Sequence, residues 1–245
     1  MTDFTHVRGS GPAMARASRL SLATVALPTG VAVTLWFCRA LLVQPMGRYF
    51  FWNLLLAWLP WVLSAFCAAR PRSLLTLLAF TGPWLLLLPN APYLITDLVH
   101  LKERHGVPLS FDVLIFTAFA LAGCVLGWSS LRHMHESWAT RFSPRVAFVA
   151  DLTFIALTGF GVYLGRFLRF NSWDVVTDPL SLFSTALDTA TEPLALAFSL
   201  GFSALFGAGF LLQFQPQPEP AVDPQSARSL WYQNVRNPRH GKGET

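Results

Sequence analysis

The stretch that begins at Pro89, contains a second proline at Pro92 and ends just after His100 carries four polar side chains at helical spacing. Tyr93, Thr96, Asp97 and His100 follow the i, i+3, i+4, i+7 pattern, which places them on one face of a helix. A carboxylate and an imidazole on one face can act as a general acid/base pair. Asp97 and His100 are therefore the candidate catalytic residues, with Tyr93 and Thr96 as candidate binding residues beside them.

Two arginines later in the chain are also placed at helical spacing. Arg166 and Arg169 are three residues apart, so both can point at one partner. Guanidinium groups bind phosphate and carboxylate through paired hydrogen bonds, which favours a pocket that binds or modifies an amphiphile with an anionic head. The other candidate binding residues of this pocket are Arg48, Asn53, Asn90, Asp112, Asn171, Ser172, Trp173 and Asp174.

The same residues also have a purely structural interpretation. Charge near a membrane span is costly unless it is paired, so the carboxylates of the cluster can pair with its arginines and fix loops. No metal is expected, because the arginines would repel a cation, and no cofactor motif is present. A small-solute transporter and a structural or partner-binding subunit are the alternatives to a binding protein or enzyme, and the sequence leaves open whether there is catalysis.

Long apolar blocks must position these residues. The chain has 245 residues, 53% hydrophobic and 13% charged, with a mean hydropathy of +0.45, whereas soluble domains carry about 25% charged residues. Apolar blocks of this length satisfy their backbone hydrogen bonds in a bilayer as helices. The prediction is an all-α polytopic transmembrane helix bundle of about six spans: Leu20 to Val43, Phe50 to Ala69, Ser73 to Leu88, Val113 to Ser130, Val146 to Phe167 and Pro193 to Phe214.

The distribution of basic residues sets the orientation. Most of the 18 Lys and Arg residues lie beside the termini and on the same side of the spans, so both termini are predicted to be cytoplasmic. The chain then divides into a cytoplasmic segment 1–19, a transmembrane domain 20–214 and a disordered cytoplasmic tail 215–245. The expected location is the cell inner (plasma) membrane, with the lipid bilayer as partner. The oligomeric state stays open, and the scattered net charge of +5 argues against nucleic acid.

Alternating topology brings four polar segments to the outer side of these spans. They are the starts of the second and fourth spans and the ends of the third and fifth. Arg39, at the end of the first span, is expected to snorkel to the same interface. On the cytoplasmic side His133 and His135 are expected in a solvated loop, and Asp151 is expected to pair with a neighbouring span or snorkel.

Two further patterns concern packing and the membrane surface. Glycines four residues apart, such as Gly123 with Gly127 and Gly161 with Gly165, predict close approach of helices within the bundle. The stretch Pro179 to Ala190 predicts a short interfacial helix on the outer side.

Three of the polar segments resemble a bacterial membrane-protein family known as domain of unknown function 1361. The resemblance rests on PNAPYLITDLVHL (Pro89 to Leu101), GRFLRFNSWD (Gly165 to Asp174) and the W-N-L-x-L-A-W-x-P run from Trp52 to Pro60. Together with the hydropathy profile it extends from Phe50 to Phe214. It implies an integral membrane protein and places most of the candidate residues in signature positions, without assigning them an activity.

Overall fold

The computed structural model describes residues 11–42, 47, 49–69, 73–102 and 107–213, with side chains from residue 22 onward. Arg48 and the predicted tail 215–245 lie outside the described residues. The bundle to Leu211 is one compact unit, and only the end of the last helix is described in the second unit, Leu212–Thr245. The helices are α1 (Gly11–Leu42), α2 (Tyr49–Ala68), α3 (Leu74–Leu87), α4 (Asn90–Thr96), α5 (Leu109–Arg141), α6 (Pro144–Phe167), α7 (Asp174–Thr177), α8 (Pro179–Thr189) and α9 (Pro193–Gln213), with a 3-10 turn, Asp97–His100, after α4.

Six helical stretches are long and apolar enough to cross a membrane, which confirms the predicted all-α polytopic fold. They are Leu22–Leu42, Tyr49–Ala68, Leu74–His100, Leu109–Arg141, Pro144–Phe167 and Pro193–Gln213. The protein is therefore a multi-pass membrane protein. The fourth stretch has 33 residues, which at about 1.5 Å per residue exceeds the roughly 30 Å of a bilayer core. Helix α5 thus continues well past the predicted end of its span.

The third span is interrupted where the sequence predicted. Pro89 and Pro92 have no backbone N–H to donate, so regular helix ends at Leu87 and restarts at Asn90. Leu88 and Pro89 nevertheless keep right-handed helical backbone angles. Helices α3 and α4 therefore form one broken span instead of a helix and a surface loop.

Helix α4 packs tightly between α5 and α6. A Cβ atom at Gly123 of α5 would lie 2.2 Å from the carbonyl oxygen of Ala91, and one at Gly161 of α6 would lie 2.5 Å from the Pro89 ring. Only glycine permits these approaches, because any side chain would occupy the space of the α4 backbone and ring. The contacts confirm that the paired glycines serve packing inside the bundle.

Aromatic side chains fill the interior on both sides of α4. Phe50 of α2 packs against Phe116 and Phe119 of α5, with ring centroids 4.8 and 4.9 Å apart. Farther along the bundle, fully buried Trp84 of α3 donates to Ser130 Oγ of α5 at 2.6 Å. These contacts fix α2 and α3 against the long central helix α5.

Helix α8 confirms the predicted short helix between the last two spans. Its N-terminus is capped by Asp178, whose carboxylate accepts the backbone N–H of Ser181 at 3.3 Å. Leu180, Phe183 and Leu187 are all exposed on it. A short helix with such an apolar face suits the plane of a membrane interface, as the sequence analysis predicted.

Candidate functional site

The four polar segments meet at one end of the bundle, which we call the polar end. There α1 and the broken α3–α4 span finish, and α2 and α5 begin. Asn53 of α2 donates from Nδ2 to Asp97 Oδ2 at 3.0 Å, and Asn90 of α4 donates from Nδ2 to Ser172 Oγ at 2.9 Å. The predicted convergence is therefore present as hydrogen bonds between segments far apart in sequence.

A cavity of about 310 Å³ opens among these segments. Its volume lies at the lower end of the range of small-molecule sites. The lining comes from the first two turns of α2, the α3–α4 break, the last two turns of α6, the loop after α6, and α8: Trp52, Asn53, Leu56, Leu86, Pro89, Asn90, Tyr93, Gly161, Leu164, Gly165, Arg169, Phe170, Asn171, Ser172, Trp173 and Leu182. The cavity therefore extends from the polar-end turns of α2 and α6 to the break inside the third span.

Among the described residues of this lining, Arg169 is the only one with a charged side chain. Its φ of 63° puts it in the left-handed region, where it is the only non-glycine residue in the described part of the chain. The following residue, Phe170, donates its N–H to Leu164 O at 3.2 Å and closes the helix end. Glycine or asparagine is usual at such a position, and an arginine there costs about 1 kcal/mol.

The Arg169 guanidinium has no carboxylate partner among the residues that the structure describes. Its side chain is exposed and lines the cavity. A charged group placed by an unfavourable backbone angle, and left without a counter-charge, is available for a ligand.

The structure separates the candidate residues into two groups. Those lining the cavity are Asn53, Asn90, Tyr93, Arg169, Asn171, Ser172 and Trp173. Those placed elsewhere at the polar end are Thr96, Asp97, His100, Asp112, Arg166 and Asp174. Trp52, Phe170 and the leucines of the wall were not singled out from the sequence, because apolar residues beside a span carry no distinguishing signal.

Asp97 and His100 are not joined to each other by a hydrogen bond among the described contacts. Asp97 is 2% exposed and accepts from Asn53, whereas His100 is exposed and accepts at Nε2 from Arg166 Nη1 at 3.3 Å. Because a guanidinium only donates, Nε2 of the imidazole is the acceptor in this contact. Their catalytic roles stay a prediction.

Asp112 has a partner that the sequence analysis did not assign. Its Oδ1 accepts from Arg39 Nε at 2.6 Å and its Oδ2 from Arg39 Nη2 at 3.4 Å. Arg39 is 2% exposed, so the expectation that it snorkels to the interface was wrong. The carboxylate is favoured at the N-terminal turn of α5 by the helix dipole, and packing of α1 on α5 brings the arginine to it.

Two further candidates serve local structure. Asp174 accepts the backbone N–H of Asn171 at 2.6 Å, which holds the loop after α6 in its turn. Thr96 donates its hydroxyl to Tyr93 O at 2.7 Å, one turn back along α4. Both contacts shape segments that present cavity residues.

The opposite end of the bundle departs from the sequence prediction. His133 and His135 lie within α5 and not in a solvated loop. His135 Nδ1 lies 2.6 Å from Asp151 Oδ2 of α6, and His133 Nδ1 lies 3.1 Å from Ser64 Oγ of α2. The expected pairing of Asp151 with a neighbouring span is therefore confirmed, and these contacts explain why α5 stays helical beyond its apolar part.

A comparison with protein families covers every described residue that lines the cavity. A family model described as a protein of unknown function, DUF1361, matches residues 52–208. The chain belongs to the DUF1361 family. This confirms the resemblance noted in the polar segments, and every cavity-lining residue of this DUF1361 protein falls within the matched region.

Arg39, the partner of Asp112, precedes that region. No curated protein and no solved structure matches the chain. The DUF1361 protein is thus an integral membrane protein of unknown function.

Proposed function

We propose that this DUF1361 protein, placed in the bacterial inner membrane, binds an amphiphile with an anionic head in the polar-end cavity. The observation that carries the proposal is the composition of the lining, which contains the guanidinium of Arg169 and, among the residues that the structure describes, no carboxylate. A guanidinium that has no carboxylate beside it among the described residues is suited to bind a phosphate or carboxylate through paired hydrogen bonds.

Donors beside the arginine support an anionic head. Ser172 Oγ accepts from Asn90, so its own hydroxyl proton is free to be donated to a ligand oxygen. The side-chain amide of Asn171 and the phenol of Tyr93 also line the cavity. A phosphate or carboxylate group has the lone pairs to accept from several of these groups together.

The apolar wall supports an amphiphile over a free anion. Leu56, Leu86 and Leu164 line the cavity, one on each of α2, α3 and α6. Trp52 and Trp173, 53% and 45% exposed, stand at its edge. Tryptophan is enriched at the level of lipid headgroups, so the mouth lies where the head and the first part of a lipid chain would meet the protein.

The proposal covers binding and assigns no chemical step. Asp97 and His100 lie outside the lining, and Asp97 is committed to Asn53. Transport is not adopted, because the helix break at Pro89 has no counterpart in the other described spans, each of which is one continuous helix, whereas transporter folds built from repeats carry paired breaks.

Replacing Arg169 with glutamine is expected to weaken binding of phosphatidylglycerol by about 10-fold or more, since a charge-assisted hydrogen bond contributes roughly 1.5 to 3 kcal/mol. Glutamine keeps a polar side chain that can donate a hydrogen bond and removes the charge. The measurement is lipid binding to the purified protein by native mass spectrometry, with phosphatidylcholine as the zwitterionic comparison.

Arg141→Gln is the matched control, because Arg141 ends α5 and contacts the Phe142 ring at the other end of the bundle. The control variant should bind as the unchanged protein does. Equal binding of the two lipids by the unchanged protein, or equal losses in both variants, would contradict the proposal.

A further inference from the structure

The side-chain amide of Asn90 presents only its oxygen to the cavity. Its Nδ2 donates to Leu87 O and to Ser172 Oγ, both at 2.9 Å. A side-chain amide has two N–H groups, so both are used. Turning the amide over would set its oxygen against the Leu87 carbonyl, which fixes the orientation shown.

A carboxylate fixes the orientation of the Asn53 side-chain amide in the same way. Its Nδ2 donates to Oδ2 of the buried Asp97 at 3.0 Å. The reverse orientation would bring the amide oxygen against that carboxylate, so Asp97 fixes which way Asn53 faces. No described residue donates a hydrogen bond to the Oδ1 atom of Asn53 or to that of Asn90.

The lining therefore offers hydrogen-bond acceptors beside its one positive charge. Asn53 and Asn90 stand on neighbouring helices, α2 and α4, and both line the cavity with Arg169. A phosphodiester or a carboxylate has no hydrogen to give to an amide oxygen, so a head with such a group alone would leave both oxygens without a donor from the ligand. Leaving an acceptor unpaired on binding costs free energy, and sites built this way select ligands that carry the matching donor.

We propose that the head of the bound molecule carries hydroxyl groups as well as its anion, in the manner of a polyol or sugar phosphate. The inference rests on the proposed function and names its ligand more closely. Hydroxyl groups are the matching donors, because an ammonium donor would be repelled by Arg169. Asp97 then acts as a positioning residue, which orients the Asn53 oxygen toward the ligand without touching it.

Two lipids of equal charge test this in the unchanged protein. Phosphatidylglycerol has a phosphodiester and two hydroxyls, and phosphatidylmethanol has the same phosphodiester and none. Two added hydrogen bonds predict about 10-fold tighter binding of phosphatidylglycerol. Equal affinity for the two, each still weakened by Arg169→Gln, would overturn the hydroxyl inference and leave the anionic site intact. No preference of either lipid over phosphatidylcholine would instead overturn the proposed function.

The Asn53→Leu variant assigns the selectivity to the amide. Leucine has a similar size and no oxygen, so the affinity for phosphatidylglycerol relative to that for phosphatidylmethanol should fall severalfold. An unchanged ratio in folded protein would contradict the role given to Asn53, and the comparison of lipids in the unchanged protein stands even where this variant fails to fold.

Soluble glycerol 1-phosphate distinguishes a lipid from a free polyol phosphate. Failure to displace phosphatidylglycerol is the expected result, because the apolar wall contributes to binding of the lipid. Displacement at matching concentration would support the head chemistry and overturn the amphiphile part of the proposed function.

Discussion

An alanine at position 123 is expected to destabilise the bundle by about 3 kcal/mol or more, the upper range for overpacked sites. The added Cβ would lie 2.2 Å from Ala91 O and 2.8 Å from a Leu94 methyl group. A backbone carbonyl cannot rotate away as a side chain does, so α4 itself must move off α5. The measurement is the thermal unfolding midpoint of the purified protein in detergent, together with the yield of monodisperse protein.

Gly201→Ala and Gly30→Ala are matched controls in other spans. A Cβ atom at either position meets nothing within 4 Å. Both should be neutral or slightly stabilising, since alanine favours helix by up to about 1 kcal/mol over glycine. An unfolding midpoint of Gly123→Ala equal to those of these controls would contradict the close packing of α4 on α5.

Replacing Arg39 with leucine is expected to have the second large effect, a loss of about 3 to 5 kcal/mol. The substitution leaves Asp112, 3% exposed, as a buried carboxylate without its cation. Removing both charges, in Arg39→Leu with Asp112→Leu, should recover most of the stability, because no unpaired charge then remains. A double-mutant cycle of unfolding free energies measures the coupling.

The Arg132–Glu136 pair of α5 is the control for this cycle. Its atoms are 3.4 Å apart and both side chains are about half exposed, 51% and 54%. An exposed i,i+4 pair contributes roughly 0.3 to 0.5 kcal/mol, so its removal should be barely measurable. A coupling energy for Arg39 and Asp112 as small as that of this pair would show that α1 is not fixed by the buried ion pair.

Hydropathy and the positions of the prolines were sufficient to predict the six spans and the break in the third one. The length of each apolar block predicted the six spans, since a bilayer crossing requires a nearly fixed number of residues. Pro89 and Pro92 predicted the broken third span. Alternation of the spans then brought Asn53, Asn90 and Ser172 to one end, where they are hydrogen-bonded or line the cavity.

The partners of individual charges did not follow from the sequence. Block lengths do not specify how a helix is rotated about its axis, and that rotation decides whether Asp112 meets Arg39 or another arginine. The end of α5 was misplaced for a related reason. Residues such as His135 lower the local hydropathy, yet their cost is offset once Asp151 supplies a partner across the bundle.

The chemistry of the cavity depends on backbone angles and side-chain orientations, which only the three-dimensional structure shows. The left-handed backbone at Arg169 and the orientation of the Asn53 and Asn90 amides leave no pattern in a single sequence. The sequence did predict an arginine-containing anion site, and it grouped Arg166 with Arg169. In the structure the two diverge, because Arg166 contacts His100 while Arg169 lines the cavity.

The most direct measurement is mapping of a photoactivatable phosphatidylglycerol, with the reactive group beside its head, after cross-linking in membranes. Occupancy of the cavity predicts adducts on the first turns of α2 and on the stretch from Gly161 to Trp173, reduced in Arg169→Gln. Adducts spread evenly over the exposed faces of α1 and α9, and unchanged in that variant, would show ordinary lipid contact and contradict a binding site at the polar end.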